Sequence, residues 1–373
     1  MKRIAIAPVL VLTLALGACA ASSESASFND GAPAPAAGRG DSNAGMAPPG
    51  SSSSSSSGGS ASASGDGEMA GTGARAPGAQ AQAGLLTAGV WDDNQNFDFF
   101  AKYLDLSARL PGVPVFSLDE RQAARARWTQ RAAASQLDIA FVIDTTGSMG
   151  DELRYLQNEI DHIAQTIQAK FPDATARYGL VLYKDDQDAY VSRWFDFKPA
   201  ADFRAHLAAQ SVGGGGDYPE AVEAGLEQTM RLGWRTGPVA RLAFWVADAP
   251  HHIGDESRVR AALDTAVQSD VHVYPVAASG TDERAERTMR TAAQITGGRY
   301  VFLTDDSGIG NDHAEPHIPC YHVTKFNDAI VRMVESEMKG TRIEAQPTEI
   351  VRTVGTPLNG TCTTKSAGPV SLY

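Results

Sequence analysis

Asp144, Thr146 and Ser148 place three oxygen-bearing side chains at alternate positions of the run Asp144-Thr145-Thr146-Gly147-Ser148-Met149. That spacing turns one carboxylate and two hydroxyls inward from a single loop, just ahead of a segment with helical periodicity. A further acid, Asp248, follows the apolar run Arg241–Ala247. Between them lies Gly213-Gly214-Gly215-Gly216-Asp217-Tyr218-Pro219-Glu220, where the glycines allow a bend close to a site and Asp217 tops the next helix. Carboxylates and uncharged hydroxyls, with water completing the shell, suit a hard octahedral cation: Mg²⁺, with Mn²⁺ or Ca²⁺ as alternatives. Each element alone has an ordinary use. The first is a good helix cap, Asp248 is an acid at a strand end, and no Gly-Lys-Ser/Thr follows the glycines to make a nucleotide cradle.

These residues must be held by alternating strands and helices. Leu137–Asp144 is an almost unbroken apolar run ending in an acid, as a buried parallel strand requires. Helical periodicity covers Met149–Lys170, Pro219–Arg231, Glu256–Gln268, Glu283–Thr296 and Val323–Lys339. Strand patterns cover Arg177–Tyr183, Tyr190–Phe197, Arg241–Ala247, Val271–Ala277 and Arg299–Leu303. The alternation predicts an α/β fold, a doubly wound, mainly parallel sheet with helices on both faces. Folds of this kind bind ligands beyond the carboxyl ends of their strands, where Asp144 and Asp248 fall.

Three elements in this order resemble the von Willebrand factor type A (vWA) domain and its metal-ion-dependent adhesion site (MIDAS), a Rossmann-like fold. Asp144, Thr146 and Ser148 match the family's DxSxS element, with Thr in the middle place, and Asp248 matches the later acid. The family's intervening ligand is usually a Thr; here Asp217 takes that place, as in the GGxDxPEA variant, and adds negative charge. The resemblance spans residues 137–340. It implies a cation at Asp144, Thr146, Ser148, Asp217 and Asp248, completed by an acidic side chain of a partner protein. It also implies that the last helix, Val323–Lys339, shifts on binding. The alternative is a structural envelope protein whose metal only stabilises the fold. No Ser/His/Asp order, HExxH or Cys/His nucleophile pattern stands out, so an enzyme is not expected.

The N-terminus supplies an address. Lys2-Arg3 precede the apolar run Ile4–Leu16, 13 residues and too short to cross a bilayer. Leu16-Gly17-Ala18-Cys19 resembles a bacterial lipobox, which implies cleavage after residue 18 and lipidation of Cys19 with palmitate-type chains. Residue Ala20, in place of Asp, points to the outer membrane, with the leaflet open. Residues 19–84 contain no Leu, Ile or Val and include the run Ser51–Ser57. Such a stretch buries too little apolar surface to offset its ordering entropy. It is read as a flexible tether of roughly 45 Å r.m.s. span. Of the 373 residues, 44 are acidic and 32 basic, a formal charge of −12, which disfavours nucleic acid as a partner.

The remaining motifs have competing readings. Residues 85–136 are a lead-in rather than a domain. Asp92, Asn94, Asn96 and Asp98 have the alternation of a calcium loop, but Phe97 and Tyr103 stand where Gly and Glu belong. A turn with Trp91, Phe97, Phe99 and Phe100 packed on the main domain is the competing reading. Ser117 and Glu120 form a capping box ahead of a helix of about 17 residues. His313, His317, Cys320 and His322 form a conceivable zinc set. With Cys19 lipidated and the chain exported, a Cys320–Cys362 disulfide is favoured, pinning the tail at 341–373. His251, His252, Asp185, Asp186 and Asp188 read as solvated loop groups. Trp194, Trp234 and Trp245 read as core or helix-packing residues.

Overall fold

The computed structural model describes residues 86–106, 110–129, 131–308, 312–365 and 368–372. The signal peptide, Cys19 and the tether lie outside these ranges. Strand β2 (Gln136–Asp144) shows how the sheet is dressed on both sides. Its Leu137, Ile139, Phe141 and Ile143 point into one apolar layer, and Ala140 and Val142 into the other. Strand β5 (Val239–Ala247) repeats this, with Leu242, Phe244 and Val246 opposite Ala243, Trp245 and Ala247.

Parallel pairing links β3 (Thr175–Tyr183), β2, β5, β6 (His272–Ala277) and β7 (Tyr300–Thr304) in that order. Antiparallel strands extend the sheet on both sides. β4 (Ser192–Lys198) lies on one edge; β1 (Thr87–Trp91), β8 (Tyr321–Lys325) and β9 (Arg352–Val354) follow β7 on the other. Helices α3 (Gly150–Lys170), α4 (Ala200–Ala208) and α8 (Phe326–Lys339) cover one face. Helices α2 (Leu118–Trp128), α5 (Val222–Met230), α6 (Glu256–Gln268) and α7 (Glu283–Thr296) cover the other. The fold is the expected mixed, mostly parallel α/β sheet with helices on both faces.

Several expectations need correction. The lead-in is part of the sheet, because β1 pairs with β7 and β8 inside it and is followed by α1 (Phe97–Leu106). The Ser117–Glu120 capping box forms, but its helix α2 has 11 residues rather than about 17. The helix expected from Val323 begins at Phe326, since Val323 to Lys325 are strand β8 with Val323 paired to Gly89. The tail holds β9 and the hairpin β10 (Thr361–Thr364) and β11 (Gly368–Ser371), pinned by the Cys320–Cys362 disulfide. Ser371 N–H donates to Asn96, and Asn96 donates to Ser371 O, at 2.8 and 3.1 Å.

Candidate metal centre

Asp144 closes β2 fully buried. Its Oδ1 accepts hydrogen bonds from Thr146 N at 2.9 Å and Thr146 Oγ1 at 2.7 Å. Its Oδ2 is buried without a hydrogen-bond partner. Thr146 Oγ1 lies 3.5 Å from Ser148 Oγ, and both residues line one crevice with Asp248, which follows β5. The spacing seen in the sequence therefore does converge Asp144, Thr146, Ser148 and Asp248. A short 3₁₀ turn at Gly147–Met149 then leads into α3.

The Gly-rich loop is laced onto this corner by its backbone. Gly213 N donates to Thr145 O at 3.1 Å, and Gly147 N to Gly214 O at 3.3 Å. The Lys184 ammonium donates to both Thr145 O and Gly213 O. Asp188 accepts from Gly215 N at 2.9 Å. Gly214 has φ +84°, and a Cβ there would sit 2.1 Å from the Asp188 carboxylate, so both its conformation and its neighbour demand glycine.

Asp217 shares this crevice with Thr146, Ser148 and Asp248. It is exposed on the rim of the opening, which has a volume of about 600 Å³ and is also lined by Tyr218 and Glu220. The buried acid of the loop is Glu220, only 4% exposed, with Oε2 lacking a partner. Sequence reasoning missed it because Pro219-Glu220 reads as an ordinary helix start. Its backbone N–H donates to Pro250 O at 2.9 Å, beside a bridge to His251, which moves Glu220 inward and leaves α5 to begin at Val222.

The corner is short of positive charge. Burial, and then the charge of Asp248, push the Asp144 carboxyl up to about 7. Burial, followed by Asp144, Asp185 and Asp248, pushes Glu220 up to about 9. Burial also raises Asp248. Glu152 on α3 is buried and raised by burial; its Oε1 accepts from Ser279 Oγ at 2.9 Å. Ser279 Oγ lies 3.4 Å from His313 Nε2, but its proton is directed to Glu152.

Unpartnered buried carboxylate oxygens beside uncharged hydroxyls fit a hard divalent cation. Among the described residues no three His, Cys, Asp or Glu side chains form a ready-made metal cage. Hydroxyls and coordinated water would have to supply the remaining positions.

Other candidates resolve differently. The calcium-loop oxygens are used internally. Asp92 Oδ1 accepts from Asn94 N and Gln95 N, Asp93 pairs with Arg290, Asn94 with Gln294, and Asn96 with Ser371, while Asp98 is exposed. The zinc set is overturned by the disulfide at Cys320. His313, His317 and His322 pair instead with Asp305, Glu286 and Thr353. His251 is fully buried, and burial lowers it to about 4. His252 is ion-paired at 2.6 Å with Asp185, itself buried, so neither they nor Asp188 are solvated turn groups; Asp186 is exposed. Trp245 is core and donates to Tyr183 Oη, Trp234 packs on Phe197, and Trp194 is 52% exposed rather than core.

Residues 138–309 match the family profile described as von Willebrand factor A domain. The alpha-protein kinase vwkA of Dictyostelium discoideum is 27% identical over 122 residues, 32% of this chain and 19% of that protein. The chain thus spans about a fifth of that relative's length. Similar solved structures include the conserved hypothetical protein BatB of Bacteroides thetaiotaomicron, with 13% identity and TM-score 0.37. That match covers 55% of this chain and 98% of BatB. The open conformation of the pilus adhesin SpaC of Lactobacillus rhamnosus GG has 14% identity and TM-score 0.33, covering 56% of this chain and 30% of SpaC. The sheet order and the family match have one conclusion: residues 138–309 form a von Willebrand factor A domain.

Proposed function

We propose that this chain is an envelope-anchored, cation-dependent protein-binding module for adhesion or complex assembly. What carries the reading is Asp144 Oδ2, a buried carboxylate oxygen without a hydrogen-bond partner, on a residue bonded to the crevice-lining Thr146. Leaving such a group unpaired costs on the order of 1–3 kcal/mol, more when it is charged, so its retention makes sense if a cation uses it. Asp144, Thr146, Ser148 and Asp248 would hold Mg²⁺, with Mn²⁺ or Ca²⁺ as substitutes. The bound cation would supply a Lewis-acidic position that an acidic side chain of a partner protein completes. Asp144 and Asp248 anchor the charge, and the Thr146 and Ser148 hydroxyls add donors without adding charge.

The N-terminal signal fits delivery to the outer membrane. Lipidated Cys19 would insert its acyl chains, and residues 19–84 would hold the binding domain off the surface as a leash. A pull-down of envelope proteins with the full chain in detergent tests the reading. Capture in Mg²⁺ should disappear in chelator and in Asp144→Ala. Equal capture under all three conditions would contradict it.

A further inference from the structure

Two arginines of α7 are treated in opposite ways. Arg290 is fully buried and paired with Asp93 and Glu286. Arg287 is only 6% exposed, yet among the described residues no carboxylate lies within ion-pair distance of it. Its Nη1 reaches Leu110 O at 3.5 Å, and its Nε has no hydrogen-bond partner. Arg121 on α2 is 7% exposed and is likewise without an acid. It donates from Nη1 to the neutral Gln294 side chain at 3.1 Å, and its guanidinium lies 5.4 and 5.7 Å from the Phe100 and Phe116 ring centres. Burial lowers both guanidinium pKa values, that of Arg121 to about 10. The acids that oppose this shift are not contact partners: Asp93 is paired with Arg290, Glu120 with Arg260, and Glu283 is exposed.

Arg121 and Arg287 line one groove of about 310 Å³, walled by the end of α1, residues 110–118 and α7. Leu104, Val113, Pro114 and Phe116 make its walls largely apolar, and the acid on its wall, Asp105, is exposed. Val115 and Leu118 carry the apolar surface outward, 78% and 57% exposed. Arg260 braces this segment, donating to Val115 O and Glu120, with its guanidinium 4.3 Å from the Phe116 ring centre. The groove shares no lining residue with the metal crevice, and all of it except Arg287 lies ahead of residues 138–309. Two buried positive charges without a counter-charge, in a chain of net charge −12, are unfavourable unless an anion arrives. The apolar collar selects what can bring it. A side-chain carboxylate can pair with the guanidiniums while apolar neighbours on the same segment cover Val115 and Leu118. We propose that this groove docks a peptide segment of a partner protein in which an acidic side chain stands between apolar ones, its carboxylate paired with Arg287 and Arg121. Docking here needs no cation and stands apart from the cation-dependent reading of the crevice.

The test is fluorescence-polarisation titration of a labelled Leu-Asp-Leu-Asp-Leu peptide against the full chain in phosphatidylcholine nanodiscs. Chelator is present throughout, so that the crevice holds no cation, and Leu-Asn-Leu-Asn-Leu is the matched neutral probe. All variants are compared below their unfolding midpoints. The acidic peptide should bind wild type at least tenfold more tightly than the neutral one. Arg287→Met, which keeps an apolar stem, should weaken acidic-peptide binding by tenfold or more. It should also unfold no earlier than wild type, since an unpaired buried charge is removed. Val115→Ser combined with Leu118→Ser should weaken the acidic peptide by threefold or more. Equal affinity for the two peptides, or no binding of the acidic one at about 1 mM, overturns the proposal. So does an Arg287→Met variant that unfolds earlier yet binds the acidic peptide as wild type does, the behaviour of an arginine that only braces Leu110.

Discussion

Two regions of this molecule treat their buried carboxylates differently. Around β1 and α7 each one has an arginine. Asp93 accepts from Arg290 Nη2 at 2.7 Å and Nε at 3.0 Å, with both side chains fully buried. Asp92 faces Arg342 Nε at 2.7 Å. Glu337 pairs with Arg131, with His272 Nδ1 at 2.8 Å and with the Tyr274 hydroxyl. Burial works against the Arg290 charge, but Asp93 and Glu286 outweigh it and hold the guanidinium above its ordinary pKa. At the crevice, Asp144, Glu220 and Glu152 are buried to a similar degree and keep idle oxygens, with no arginine among their hydrogen-bond partners in the described residues. The first region contains its own counter-charges and is structural. The second has no such partner, and on the proposed reading a bound cation would supply the counter-charge.

Removing a built-in counter-charge should have the largest effect. Arg290→Ala leaves Asp93 buried without its counter-charge and Glu286 with His317 alone, and should cost about 3–5 kcal/mol in urea unfolding. A loss under 1 kcal/mol would erase the contrast between the regions. Next comes the disulfide that pins the tail hairpin beside the paired region. Cys320 and Cys362 lie 42 residues apart, and replacing both with Ser should cost about 2–4 kcal/mol, by the entropy returned to the unfolded chain.

The crevice predicts a pH dependence of definite sign. Asp144 and Glu220 have folded pKa values raised above the ordinary 3.8 and 4.5, to about 7 and about 9. Their contribution is most favourable below about pH 4 and is lost as pH rises through 7 and then 9. In chelator, stability should therefore fall between pH 5 and 9 by several kcal/mol, at up to about 1.4 kcal/mol per pH unit for each group, beyond the trend in saturating Mg²⁺. Parallel pH curves with and without the cation would count against an unfilled carboxylate site. The smallest effect is expected for Asp144→Asn in chelator. Near pH 4, where the raised Asp144 carboxyl is already protonated in the folded chain, neutralising it should change stability by about 1 kcal/mol or less, against the several lost in the arginine-paired region.

Patterns that repeat were legible in the sequence; single contacts were not. The strands from Leu137, Arg177 and Arg241 and the helices at Glu256 and Glu283 show a period that burial on two faces imposes. The Asp144-Thr146-Ser148 corner was legible because one loop carries all three oxygens. Strand β1 was not, because Thr87–Trp91 is short and its partners lie over 200 residues away. Val323 was misread because it falls in phase with Phe326 and Ile330 of α8 while pairing in a sheet. Helix α4 has only Phe203 and Leu207 buried, too little for a periodic signal. Glu220 was hidden by a more conspicuous neighbour: Asp217 follows the four glycines directly, and only the Glu220–Pro250 contact reveals which acid is turned inward.

The central claim is that the Asp144 corner binds a divalent cation, and thermal unfolding of the full chain with Mg²⁺ against chelator tests it most directly. The account predicts that Mg²⁺ raises the midpoint of wild type by several degrees, through binding to the folded state alone, and leaves Asp144→Asn unmoved. Identical midpoints for wild type with and without Mg²⁺, Mn²⁺ or Ca²⁺ would contradict it.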